Sequence, residues 1–151
     1  MAPDGLTSVV DQLRELAGPL RDALPADAVV TDVASTKRRL LAAVQGTGLR
    51  YVGGHPMAGR EQAGYVASTA DLFEDRPWII TAPGDAAADD VLRVDALARA
   101  CGARPVRLDA ETHDLATAAI SHLPLVVSAA LVEAIAGTDA RSEEHTSELQ
   151  S

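Results

Sequence analysis

AVVTDVASTKRRLLAAVQGTGLRYVGGHP, residues 28–56, decides the reading of the fold. Ala28–Val33 is a short β-branched run and reads as a strand. Ser35–Val44 reads as a helix, with Ser35 placed to cap its N-terminus. Leu49–Gly54 reads as the next strand and ends on a glycine pair. The alternation continues outward from this unit. Upstream, Ser8–Leu24 sets Val9, Leu13, Leu16, Leu20 and Leu24 at helical spacing, and Gly18-Pro19 predicts a break or kink. Downstream, Pro77–Pro83 reads as a strand, Asp85–Gly102 as an amphipathic helix closed by Gly102, and Ala103–Asp109 as a strand. Strands alternating with helices predict an α/β layer with a largely parallel sheet. Ala110 to about Gly137 reads as a long apolar helix interrupted near Pro124, whose ring cannot donate to the carbonyl of Ile120. A helix apolar on nearly every side is predicted to be buried, in a large core or against another subunit. The sequence shows no internal repeat.

Composition narrows the function classes. A chain of 151 residues is about one domain, and 47% apolar residues with 3% aromatic predict an aliphatic core. The balance of 13 basic to 22 acidic residues gives a net charge of −9, and Lys37-Arg38-Arg39 is the one basic cluster. Such a chain repels phosphate backbones, so no nucleic-acid partner is expected. The single cysteine, Cys101, excludes an internal disulfide, suits a reducing cytosol and, within ALARACGA, reads as helix packing. No signal peptide and no apolar run near 18 residues is read, so the expectation is a soluble cytoplasmic protein without a membrane partner. RSEEHTSELQS, residues 141–151, has no apolar face. It resembles the translation of a common sequencing-adapter oligonucleotide and is read as a non-native tail.

The chemistry gathers at GGHPMAGREQAG, residues 53–64. So little side chain predicts neither a good helix nor a buried strand. In open α/β sheets ligands bind beyond the carboxyl ends of the strands. Two candidates stand there: Ser35 after VVTDV and His55 after YVGG. Gly53 and Gly54 allow a sharp turn and a close ligand, and Pro56 restricts His55 to extended geometry. The residues alone leave two readings, a rigidly held site histidine or a tight turn carrying an incidental one. His113 and His122, nine positions apart, point to opposite faces of one straight helix and make a poor metal pair. A kink beside Ser121-His122 could turn these polar groups into a site. No Cys/His metal pattern is present, and no metal is expected. Asp32, Ser35 and His55 could be drawn as a hydrolase triad, but no G-x-S-x-G elbow accompanies them.

VTDVASTK, GGHPMAGREQAG, LFEDRPWIITAP and HDLATAAISHLP, taken in order, resemble the prephenate dehydrogenase family, with the match running from about residue 8 to 137. Close relatives that use arogenate share these motifs. The resemblance implies a partial Rossmann-type nucleotide-binding domain lacking its first strands, residues 1–109. The start of an all-α dimerisation and substrate domain follows at residues 110–140, then the tail at 141–151. It implies NAD(P)-dependent oxidation at C4 of prephenate coupled to loss of CO₂, giving 4-hydroxyphenylpyruvate in tyrosine biosynthesis. Aromatisation drives the step, so the protein must chiefly position the reactants and accept one proton. By the resemblance His55 is the catalytic histidine that hydrogen-bonds the C4 hydroxyl. Ser35 touches the same hydroxyl and helps hold the nicotinamide, with Asp32 and Pro56 beside the cofactor. His122 and Ser121 lie near the substrate.

Four features depart from the family pattern. Leu125 replaces the second histidine of SHLPH, and Arg60 stands where serine is usual. The strand carrying G-x-G-x-x-G, which sets a cofactor pyrophosphate on a helix N-terminus, is missing, as is the downstream arginine for the substrate carboxylate. Met1-Ala2-Pro3 resembles the loop after the family's fourth strand. The chain is therefore expected to be a fragment truncated at both ends and inactive alone, its full-length parent a homodimer. A related two-domain dehydrogenase of hydroxyacid or 6-phosphogluconate type is disfavoured by GGHPMAG. A non-catalytic binding domain derived from the family is the reading of a different class. The residue that separates NAD from NADP falls after a strand the sequence does not contain.

Overall fold

The computed structural model describes residues 9–59, 64, 65 and 68–148, with side chains for 10–59, 64, 65 and 68–136. Arg60 and Met1-Ala2-Pro3 lie outside the described residues. The chain divides into two compact units, Met1–Asp114 and Leu115–Ser151.

The first unit opens with helix α1, Val9–Ala23, which passes through Gly18-Pro19 without ending, so of the expected break or kink there is no break. One lost N–H is tolerated because the helix is held by packing: Ala17 is fully buried, and Val10 and Leu13 pack with Leu40 and Ala43. The buried face thus runs through residues 10, 13 and 17, and Leu16, expected on the apolar stripe, is 52% exposed. Helix α2 spans Arg38–Val44, three residues shorter at its start than read from sequence.

The sheet is mixed rather than largely parallel. Its three strands are β1 (Gly53–Pro56), β2 (Pro77–Thr81) and β3 (Arg104–Arg107), in the order β1-β2-β3. β1 runs antiparallel to β2, with His55 opposite Ile79, and β2 runs parallel to β3, with Ile79 opposite Val106. The expected Ala28–Val33 strand reduces to a single parallel bridge, Val30 to Tyr51. The amides of Val30 and Val52 donate to the carbonyls of Arg50 and Val30 at 2.8 and 3.0 Å. The Leu49–Gly54 strand moves downstream, so the glycine-rich stretch itself forms a mostly buried strand. Its glycines are there for contact. A Cβ on Gly53 would lie 2.6 Å from Thr81 Oγ1, and one on Gly54 would lie 2.5 Å from the carbonyl oxygen of Asp32. Backbone and side chain close in on a segment that only glycine can occupy.

Helix α3, Ala88–Ala100, lies against this sheet. Val94 and Ala98 form a core with Val52, Trp78, Ile80 and Ala103, and Cys101 packs against it as expected. Gly102, at φ +78°, turns the chain out of the helix in the left-handed conformation that favours glycine. Asp90 of α3 is buried and accepts two bonds from the Arg50 guanidinium, tying the helix to the segment before β1.

Helix α4, Ala110–Thr117, opens on Asp109, whose carboxylate accepts the Thr112 amide at 2.9 Å. In the second unit the helix widens into a π segment, Ala118–His122, and continues as α5, Leu123–Glu148. The amide of Leu123 bonds the carbonyl of Ala118, five residues back. The widened turn lies where Pro124 denies the Ile120 carbonyl its partner, as the sequence predicts. The helical stretch Ala110–Ala136 contains an 18-residue segment of mean hydropathy 1.9 and is long and apolar enough to cross a membrane by length and composition. This corrects the expectation that no apolar run approaches that length: Leu115–Val132 contains no Asp, Glu, Lys or Arg. Nor does the chain bury it in a large core of its own, for Leu123, Leu125, Val126, Val127, Leu131, Val132 and Ile135 are all exposed.

Candidate active site

Asp32 organises the loop between the Val30 bridge and α2. Its Oδ1 accepts the Ala34 amide at 2.7 Å and the Lys37 ammonium, and its Oδ2 accepts the Tyr51 hydroxyl and, at 3.3 Å, the Gly54 amide. Four donors from the chain itself satisfy the carboxylate, so Asp32 clamps this loop to the start of β1. Burial, then the Asp32 carboxylate, push the Tyr51 hydroxyl above its ordinary range, and it stays a donor. Lys37 is wholly buried; desolvation lowers its pKa, against the pull of the hydrogen bond and charge of Asp32.

Ser35 sits exposed in the bend of this loop. It does not cap α2. The residue before the helix is Lys37, which gives no side-chain cap, and the free amides of Lys37 and Arg38 turn instead to Asp114, at 2.8 Å on Oδ1 and 3.0 Å on Oδ2. The cap comes from the far end of the unit because the chain stays non-helical up to Lys37 while Asp32 holds it.

His55 is the third residue of β1 and half-buried. Its Nδ1 lies 2.8 Å from Nε2 of His113, with the rings edge to face at 5.1 Å between centroids. His113 is 1% exposed, and its Nδ1 lies 2.8 Å from Asp114 Oδ1. Burial, then the neighbouring His113 and Lys37, hold the His55 imidazole down at about 4, so it is neutral near pH 7. Burial would raise the Asp114 carboxyl, but the bonds from His113 and the Arg38 and Lys37 amides outweigh it and keep it ionised. Pro56 ends β1, buried opposite Trp78. The row Asp114, His113, His55 ends at a neutral imidazole near the loop that carries Ser35, an arrangement able to accept a proton.

The sequence singles out His55, Ser35 and Asp32 as candidates but not the side chains they meet here. Lys37 stands in the Lys37-Arg38-Arg39 cluster, and His113 reads as half of a poor metal pair with His122. One signal was present: His113-Asp114 opens an otherwise apolar helix, where a polar pair needs a reason. Ser121 and His122 fall in the π segment of the second unit, where both are exposed. Among the described residues no three His, Cys, Asp or Glu side chains gather as a metal site.

Comparison with known proteins decides the family. Residues 6–107 match the model of the prephenate dehydrogenase nucleotide-binding domain, and residues 109–151 that of the prephenate dehydrogenase dimerization domain. The chain belongs to the prephenate dehydrogenase family. A probable prephenate dehydrogenase of Streptomyces niveus is 45% identical over 115 residues, 70% of this chain and 31% of that protein. The prephenate dehydrogenase of Aquifex aeolicus superposes with a TM-score of 0.78 at 32% identity, covering 88% of this chain and 48% of the other. The same enzyme in complex with hydroxyphenyl propionate and NAD+ gives 0.76 at 33% identity, covering 84% and 45%. Synechocystis arogenate dehydrogenase gives 0.72 at 32% identity, covering 83% and 46%. The chain spans about a third of the Streptomyces prephenate dehydrogenase and just under half of these solved ones. Its α/β unit followed by a helical unit agrees with a prephenate dehydrogenase nucleotide-binding domain leading into a dimerization domain.

Proposed function

We propose that this chain is the catalytic-histidine segment of a cytoplasmic, NAD(P)-dependent dehydrogenase that converts prephenate to 4-hydroxyphenylpyruvate and CO₂. The observation that carries the reading is the half-buried, neutral His55, backed by His113 and set beside the Ser35 loop. His55 takes the proton of the C4 hydroxyl, and Ser35 holds that hydroxyl and the nicotinamide edge. Asp32 keeps the loop in place and Pro56 fixes the end of the histidine's strand. Ser121 and His122 are assigned to the substrate by family resemblance.

The residues present fit the nicotinamide end of the cofactor alone. The exposed loop at Ser35 follows a parallel bridge, where open α/β sheets take ligands. The α2 N-terminus is no phosphate site, since Asp114 already occupies its amides with a negative charge. Bound NAD(P)+ supplies the hydride acceptor. A complex of the Aquifex relative with NAD+ supports NAD, and the Synechocystis relative supports arogenate as a second substrate reading. Dimerisation through the helical unit follows the description of the family model. Residues 141–151 are held to contribute nothing to the site.

The test is NADH formation from prephenate by this chain and by a graft of residues 8–137 into the matching region of the Aquifex enzyme. Without a G-x-G-x-x-G turn in its sequence the chain alone is expected to be silent, because orientation is worth roughly 7–11 kcal/mol of a barrier. The graft is expected to turn over, and His55→Asn in it to lose roughly 10²–10⁴-fold, the share of a general base. A loss under about tenfold would remove His55 from that role.

A further inference from the structure

His113 and Asp114 have no assigned part in the chemistry, yet they form a polar row behind His55, with His113 buried at its centre. The proton positions along that row follow from what each atom can do. Asp114 Oδ1 and Oδ2 accept the Lys37 and Arg38 amides, so the carboxylate is held as an acceptor. A carboxylate cannot donate, so His113 Nδ1, 2.8 Å from Oδ1, carries a hydrogen. In a neutral His113 the other nitrogen, Nε2, is then a bare lone pair. For that neutral form the contact of 2.8 Å to His55 Nδ1 places the hydrogen on His55. A neutral His55 has only Nε2 left with a lone pair.

We infer that His113 and Asp114 are positioning residues that lock His55 in its Nδ1–H tautomer, leaving Nε2 as its only proton acceptor. The inference deepens the reading of His55 as the base, and the functional importance of the lock rests on that reading. Orientation is fixed along with tautomer. His55 lies on β1, His113 on α4, and Asp114 also caps α2, so one carboxylate sets both the imidazole row and the helix that follows the Ser35 loop. Lys37 and Asp32 complete the charged surroundings of His55, opposing one another across their ion pair. This is the logic by which a ring nitrogen's role is decided by the bond its partner nitrogen makes.

The test is long-range ¹H–¹⁵N correlation on the ¹⁵N-labelled chain at pH 7, which reads the protonated nitrogen of each imidazole directly. His55 and His113 are both expected as Nδ1–H, with a preference on the order of tenfold for His55, the worth of one buried hydrogen bond. In His113→Gln the amide oxygen can still accept from His55, and the Nδ1–H form should persist. In His113→Leu nothing accepts, and the population should relax towards that of a free imidazole. His55 found as Nε2–H, or as an even mixture in the unsubstituted chain, overturns the proposal even if His113→Leu does not fold. So does an unchanged His55 tautomer in a folded His113→Leu chain. These spectra stand apart from the NADH assay. A locked tautomer together with an active His55→Asn graft would sink the catalytic reading and leave the lock standing.

Discussion

The amide of Lys37 donates to Oδ1 of Asp114 across 2.8 Å, although 77 positions separate the two residues. Helix α2 thus begins on a carboxylate supplied by α4, and the same carboxylate holds His113. Local sequence points to Ser35 as the cap. The chain uses a remote residue because the loop from Asp32 to Lys37 is already fastened by Asp32.

Asp114→Ala removes the cap and the carboxylate that faces the buried His113 Nδ1. A lost cap costs roughly 0.5–2 kcal/mol and a lost hydrogen bond to a charged group roughly 1.5–3, so a total of about 2–5 kcal/mol is expected in urea unfolding. Asp114→Asn keeps one acceptor oxygen and should lose about half as much. A change below about 0.5 kcal/mol for the alanine variant would show that α2 is capped by other means.

Gly54→Ala should destabilise by about 2–3 kcal/mol, since the new methyl meets the Asp32 carbonyl at 2.5 Å and Trp78 Nε1 at 2.8 Å. Gly59 has nothing within 4 Å of the equivalent position, so Gly59→Ala should stay within about 0.5 kcal/mol. Equal effects at the two sites in thermal or urea denaturation would refute the close approach.

The elements with their own periodicity were legible: α3 with Gly102 at its end, β2, β3, and the helix irregularity just before Pro124. What the sequence could not display is what the long-range contacts decide. The Val30 segment is β-branched, yet it makes only one bridge, because Asp32 turns the chain away within two residues. GGHP looked too bare for a buried strand, yet β1 is buried because neighbouring backbone and side chains leave room only for glycine. His55 and Ser35 are candidates in the sequence by their places after YVGG and VVTDV and by family resemblance. Lys37 was hidden because its charge suggests a surface, whereas Asp32 lets it be buried.

Lys37→Met leaves the Asp32 carboxylate without its cation and should cost about 3 kcal/mol, as expected for breaking a buried pair. Asp32 retains the Ala34 amide and Tyr51 hydroxyl, so Asp32→Asn in the Lys37→Met background should recover at least about 1 kcal/mol. Its oxygen then accepts from Ala34 and its amide donates to the Tyr51 oxygen, at the expense of the 3.3 Å bond from the Gly54 amide. An additive double-mutant cycle in urea unfolding would mean the two residues do not interact.

His55 titrates at about 4 in the folded chain against 6.5 for an ordinary histidine. The unfolded chain therefore takes up the proton first as pH falls. The contribution is fully present above about pH 6.5 and shrinks as pH drops towards about 4. The urea midpoint should fall more steeply between pH 7 and pH 4.5 for the unsubstituted chain than for His55→Gln. The His55 ring signals should not move near pH 6.5, and a midpoint there would contradict the burial and charge environment described for the ring.

The exposed stripe of α5 leads to the last expectation. Leu123, Leu125, Val127 and Leu131 are each 57–69% exposed, and a helix apolar on all sides is covered by something in a stable protein. A second copy is the expected cover, in keeping with the description of the matching domain model as a dimerization domain. The chain should sediment as a dimer or larger at micromolar concentration. Val127→Lys with Leu131→Lys should shift it to monomer while leaving the first unit's urea transition unchanged, because both positions lie outside Met1–Asp114. Vesicle flotation separates the alternative cover, since the same stretch has the length and hydropathy of a membrane span. Stable co-flotation of the unsubstituted chain with phosphatidylcholine vesicles, or a monomer at every concentration tested, would argue against pairing between copies.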